Sequence, residues 1–144
     1  VTEQEIAAGA DIIFGMGDGA SFGMLQAIED HNKEAGSTEV RFIDVIGDKS
    51  AEHRDALLTS VLFDYTGIYR DMVNDLKSGS FGKIYTMDVK NGGVRLLDLP
   101  DNVADDVKAA VDQAKQDIVD GKITVTAESD AEAMKAKIAE LFPQ

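Results

Sequence analysis

A short apolar run, Ala10-Asp11-Ile12-Ile13-Phe14, ends at the loop Gly15-Met16-Gly17-Asp18-Gly19, and a helical pattern starts at Ala20 or Ser21 and runs to Ala35. This order constrains the fold more than any other feature of the chain. A short apolar run that stops at glycine suits a buried strand of a parallel sheet. A glycine loop that opens a helix leaves backbone N–H groups pointing outward, and without side chains the backbone can approach a ligand closely.

The pattern then repeats. Gly36 stops the helix, and residues 40–46 read as a second buried strand ending at Gly47. Residues 48–55 are polar and read as a loop, and 57–63 read as a third strand. Asp64 caps a helix expected over 65–77, with Ile68, Met72, Val73 and Leu76 along one face. Strands at 84–89 and 94–97 flank Asn91-Gly92, a strong hairpin signal. Val107, Ala110, Val111, Ala114 and Ile118 mark an amphipathic helix over 103–119. Ile123-Thr124-Val125 reads as a short strand, and Ser129 or Asp130 caps a last helix over 131–142. Strands that alternate with helices place the chain in the α/β class, with a mainly parallel sheet flanked by helices.

The 144 residues suffice for one domain with a real core. A net charge of -13 argues against nucleic acid and against an anionic membrane surface as partners, because both need a basic face. Cysteine is absent, which excludes disulfides and thiolate chemistry. No apolar run approaches the ~20 residues of a membrane-spanning helix. No targeting signal opens the chain, which starts at Val1.

The loop fits Gly15-x-Gly17-x-x-Ala20, a variant of the dinucleotide fingerprint, with Asp44 where that fingerprint wants its ribose-binding acid. Against this, Asp18 inside the loop would repel a pyrophosphate, and short glycine patterns also occur as bare turns. His31 and His53 sit in polar surroundings without a second histidine at ligand spacing, so both read as solvated and no metal site is expected. No acid/base pair stands out, and Ser21 and Ser60 lack a nucleophile-elbow pattern. The residues therefore nominate no catalytic group and no cofactor. Phe63, beside Asp64 after a strand, is a candidate for stacking.

Five blocks in order resemble the basic membrane protein (BMP) family of solute-binding proteins: Gly9-Ala10-Asp11-Ile12-Ile13-Phe14 with its glycine loop and Gly23; Phe42-Ile43-Asp44-Val45-Ile46-Gly47-Asp48; Leu58-Thr59-Ser60-Val61-Leu62; Asn91-Gly92-Gly93-Val94; and Ile118-Val119-Asp120-Gly121-Lys122-Ile123-Thr124-Val125. The resemblance is to the C-terminal portion of that family, and it implies part of a type 1 periplasmic-binding-protein fold with two α/β lobes around a cleft. It implies no enzyme but the solute-binding component of an ABC importer, an extracytoplasmic lipoprotein that binds a nucleoside or similar small polar ligand and docks on an ABC permease. On that alignment Gly17, Asp18 and Gly19 lie against the ligand, and Asp48 holds the ribose hydroxyls, with Asp44 as a rival. A carboxylate suits a vicinal diol because it accepts two hydrogen bonds. Phe63 stands where the family has a lysine, a departure that puts an apolar ring in place of an ammonium donor.

The resemblance further implies that residues 1–56 belong to the second lobe, that 57–89 form a hinge-crossing excursion of the first lobe, and that 90–144 return to the second. The strand at 57–63 would then present an open edge. The excursion is expected either to fold back on the chain or to pack against a second copy as a homo-oligomer. A nucleotide-dependent α/β enzyme using Gly15, Gly17 and Asp44, and a structural fragment without ligand, stay open as alternatives.

Overall fold

The computed structural model describes all of residues 1–144 except Arg54, Ala127 and Gln144. Its elements are helix α1 (Thr2–Ala7), strand β1 (Ile12–Phe14), a 3-10 turn (Asp18–Ala20), helix α2 (Ser21–Ala35), strand β2 (Arg41–Ile46), helix α3 (Ser50–His53), strand β3 (Leu57–Phe63), helix α4 (Thr66–Ser78), strand β4 (Val94–Leu96), helix α5 (Asp105–Val119) and helix α6 (Ala131–Leu141). The sheet order is β1-β2-β3-β4. The first three strands are parallel and β4 runs antiparallel to β3. The chain is thus α/β with a mainly parallel sheet flanked by helices.

One face of the sheet carries the core. Ile13, Phe42 and Leu57 pack with Ile6 of α1 and with Leu25 and Ile28 of α2. Phe42, Leu25, Ile28 and Leu57 are fully buried, each contributing about 1.5–3 kcal/mol by leaving water. The turn from α2 into β2 is fixed by two devices. Gly36 takes φ +63, a left-handed position that a Cβ would strain. The buried Asn32 then mimics a strand neighbour: its Nδ2 donates to the Val40 carbonyl (2.8 Å) and its Oδ1 accepts from the Val40 N–H (3.2 Å).

Several expectations are corrected. β1 is shorter than 10–14 and buried on one face only, since Ile12 and Phe14 are exposed. The polar stretch 48–55 contains the single turn α3. Residues 84–89 form no strand, because local side chains take the backbone groups a ladder would need. Asn91 Oδ1 accepts from the N–H groups of Asp88 and Gly93, its Nδ2 donates to Thr86 O, and Asp88 Oδ1 accepts from Asn91 N. The turn at Asn91-Gly92 exists, with Gly92 at φ +75, but β4 pairs with β3 instead of a hairpin partner. That pairing also closes the edge of β3 that was expected to be open. Residues 123–125 join no ladder of the sheet; Lys122 N and Ile123 N both bond to Asp117 O at the end of α5.

After Phe63 the chain leaves the sheet and returns only at Val94. Between these points α4 buries no residue, and Tyr69, Val73 and Leu76 are exposed, so this helix is not folded back over the core.

Candidate ligand-binding site

Parallel strands deliver their C-terminal ends to one edge of the sheet. β1 ends at Phe14 and opens into the glycine loop, β2 ends at Ile46 and opens into Gly47-Asp48, and β3 ends at Phe63 beside Asp64. Gly17, Asp18, Gly19, Asp48 and Phe63 therefore gather along the edge where open α/β sheets bind ligands. Asp44 belongs to the same strand but not to the surface.

The loop glycines have different reasons to be glycine. A Cβ on Gly15 would stand 2.7 Å from Met24 Sδ and 2.8 Å from the Phe42 ring, so Gly15 serves core packing. A Cβ on Gly17 would meet the Ser21 nitrogen at 3.0 Å, in the tight turn that starts α2. Gly19 faces open space, and Asp18 takes φ +48, a left-handed conformation that aspartate tolerates better than most residues. Asp18 and Gly19 are exposed, and Gly17 is half-buried.

Asp44 is fully buried. Its Oδ1 accepts from Ser21 Oγ at 2.8 Å and its Oδ2 from Lys49 Nζ at 2.5 Å. Lys49 Nζ also sits 5.3 Å from the centre of the Phe22 ring, which in turn lies 5.9 Å from the His53 ring. His53 Nδ1 is 2.8 Å from Glu29 Oε1, so this histidine is packed and paired where a solvated one was expected. These contacts tie the first turn of α2 to β2, to the loop after it and to α3. Sequence reasoning missed Lys49 and passed over Ser21 because it sought a nucleophile. A usable signal was present: an aspartate inside an apolar strand needs a buried partner, and Lys49 is the nearest cation after it in the chain.

Asp48 is exposed, and its Oδ1 accepts from the Ser50 N–H at 2.8 Å. On the next strand Phe63 makes an edge-on contact with Tyr65, centroids 6.5 Å apart at 90°, and Tyr65 stacks on Tyr69 at 5.9 Å. Asp64 Oδ1 accepts from Thr66 N at 3.0 Å; hydrogen bonds from Thr66, helped by Arg95 and Arg70, hold its carboxyl below the usual range. The edge therefore presents aromatic rings among carboxylates. A groove of about 740 Å³ runs between α1 and the C-terminal half of α2, away from the loop at the helix start. Among the described residues no cluster of His, Cys, Asp or Glu fits a metal ion, and no helix is long and apolar enough to cross a membrane.

Comparison with known proteins gives this geometry a context. The Bmp family model, described as ABC transporter substrate-binding protein PnrA-like, matches residues 2–129. The ABC transporter nucleoside-binding protein BmpA of Lactococcus lactis subsp. cremoris (strain MG1363) is 34% identical over 131 residues, covering 82% of this chain and 36% of the relative. The chain thus spans about a third of that relative's length. Among solved structures, ABC transporter solute-binding proteins from Aeropyrum pernix K1 superpose with a TM-score of 0.79 at 20% identity, over 97% of this chain and 46% of theirs. A transcriptional activator of the comK gene from Bacillus halodurans superposes at 0.70 with 19% identity, over 86% of this chain and 42% of that one. At such identities the superpositions establish the fold alone.

Proposed function

The chain belongs to the PnrA-like family of ABC transporter substrate-binding proteins, and on that premise we propose that it supplies one wall of the ligand cleft of a solute-binding protein and does no chemistry. The ligand is a nucleoside or a similar small polar molecule, and the complete protein hands it to an ABC permease outside the cytoplasm. Gly17, Asp18, Gly19 and Asp48 contact the polar part of the ligand, and Phe63 offers a ring for stacking. In the same reading, 1–56 and 90–144 belong to one lobe and 57–89 reach into the other.

The observation that carries this reading is the convergence of the glycine loop, Asp48 and Phe63 on the C-terminal edge of three adjacent parallel strands. Charge narrows the ligand class. Asp18, Asp48 and Asp64 line this edge, and a phosphate brought among them would be repelled, which favours a nucleoside over a nucleotide. The same charge disfavours a dinucleotide enzyme. That reading also needs Asp44 for a ribose, and Asp44 is buried and bonded to Ser21 and Lys49.

Calorimetry of inosine binding to the complete protein tests the proposal. Asp48→Ala should cost about 1.5–3 kcal/mol, the worth of hydrogen bonds to a charged group. Unchanged affinity would remove Asp48 from the site. A thermal shift with NAD but none with inosine would favour the enzyme reading.

A further inference from the structure

The backbone just before Asp48 is strained. Ile46, the last residue of β2, takes φ +79, in a region where a β-branched side chain is an outlier. Gly47 N donates to Val45 O at 3.1 Å, a bond across two residues that closes the rare, strained form of the γ-turn around Ile46. Ile46 is exposed, so burial of its side chain does not hold this conformation. Two side-chain contacts do. Ser60 of β3, fully buried and in register with Asp44, donates its hydroxyl to the Gly47 carbonyl at 2.7 Å. On the other side of Asp48, Lys49 is bound to buried Asp44. Strain of this kind persists only where surrounding structure over-determines it, and it concentrates at binding and switch sites.

We propose that the turn Val45-Ile46-Gly47 is a latched positioning device: Ser60 and the Lys49–Asp44 pair hold a backbone that Ile46 would otherwise relax, and so set the place of Asp48 at the sheet edge. Ser60 and Lys49 are positioning residues and touch no ligand. The inference rests on the role of Asp48 proposed above. It adds that the seat of Asp48 is built from β3 and the core of β2, one strand away from the ligand.

The latch makes a rescue experiment possible. Ser60→Ala releases the Gly47 carbonyl, the turn relaxes toward negative φ, and Asp48 moves. Ile46→Gly removes the strain, since glycine adopts positive φ without cost. In the complete protein, Ser60→Ala should weaken inosine binding about tenfold, a change of the size that local backbone strain can supply. Ile46→Gly alone should raise the melting temperature and leave affinity nearly unchanged. The double variant Ser60→Ala/Ile46→Gly should recover most of the affinity. A serine that merely stabilised the fold would not be rescued selectively at a residue it does not touch. Hydrogen exchange in the 144-residue chain gives a second readout that needs no ligand: Ser60→Ala should speed exchange of the Ser50 amide, which bonds to Asp48, and Ile46→Gly should slow it again. If Asp48→Ala abolishes binding while Ser60→Ala leaves it unchanged, or if Ile46→Gly rescues neither binding nor exchange, the latch is refuted and the Asp48 reading stands. If Asp48→Ala has no effect on binding, the ligand reading fails, and the exchange measurement alone decides the latch.

Discussion

Asp44 and Lys49 show how one buried charge organises the residues around it. Their side chains are 0% and 10% exposed, and the pair joins a strand to the loop that follows it. Removing one partner of such a pair leaves an uncompensated charge in a low-dielectric setting. Lys49→Met should therefore cost about 3–5 kcal/mol, read from the urea midpoint. Replacing both, as Asp44→Val with Lys49→Met, should recover much of that loss, because an apolar pair has no charge to strand. Strictly additive losses would show that the two side chains act separately. At this scale the sequence was legible in kind but not in address. The acid in an apolar strand was visible, yet whether it faced ligand or core depended on which face of β2 met α2, a tertiary fact. Phe63 closes the strand expected over 57–63, and that strand end is what brings it to the C-terminal edge of the sheet. The strain at Ile46 was invisible, since isoleucine in an apolar run predicts extended backbone.

Elements defined by their own periodicity and caps were legible almost to the residue. β3 spans the expected 57–63, α2 ends at Gly36, and Asp130 caps α6 by accepting from Glu132 N and Ala133 N. The strand expected at 84–89 was not, and its side-chain contacts show why. Its Tyr85 is drawn away from any ladder by Asp75 in α4: Tyr85 OH donates to Asp75 Oδ2 at 2.6 Å, and Lys83 Nζ lies 2.6 Å from the same oxygen. The hydrogen bonds from Lys83 and Tyr85 hold the Asp75 carboxyl below its ordinary value of 3.8. The hydrogen bond to Asp75, with some desolvation, pushes Tyr85 up to about 12 from 10.0. The signs give a window. A lowered carboxyl contributes stability above its ordinary value and loses it as pH falls through the lowered one. A raised phenol contributes below 10 and loses it as pH rises toward 12. The segment 80–85 should thus stay docked on α4 across the neutral range and loosen at both extremes. NMR of ¹³C-labelled tyrosine should find Tyr85 ionising at about 12, and Asp75→Asn should bring that step down; a step that ignores the substitution would mean the contact does not form in solution.

At the scale of the whole molecule, the core face of the sheet is well covered while several other apolar surfaces are not. In α4, Val73 and Leu76 are 50% and 67% exposed, and Ile138 and Leu141 of α6 and Phe142 just after it are likewise exposed. The solved relative from Aeropyrum pernix contains more than twice the length that this chain matches, so the fold can supply partners that these 144 residues do not. Covering one such side chain gains about 1.5–3 kcal/mol, and contiguous exposed apolar area favours association. The 144-residue chain alone should therefore self-associate with rising concentration, with α4 in the contact. Sedimentation velocity checks this, and Val73→Glu with Leu76→Lys should restore the monomer without lowering the melting temperature, since neither side chain is buried. The same isolated chain should bind inosine weakly or not at all. Small-molecule sites enclose some 70–90% of a ligand's surface, and an edge of loops on a single sheet encloses far less. A monomer at every concentration tested would refute the association, and micromolar inosine affinity in the isolated chain would show that this one wall suffices as a site.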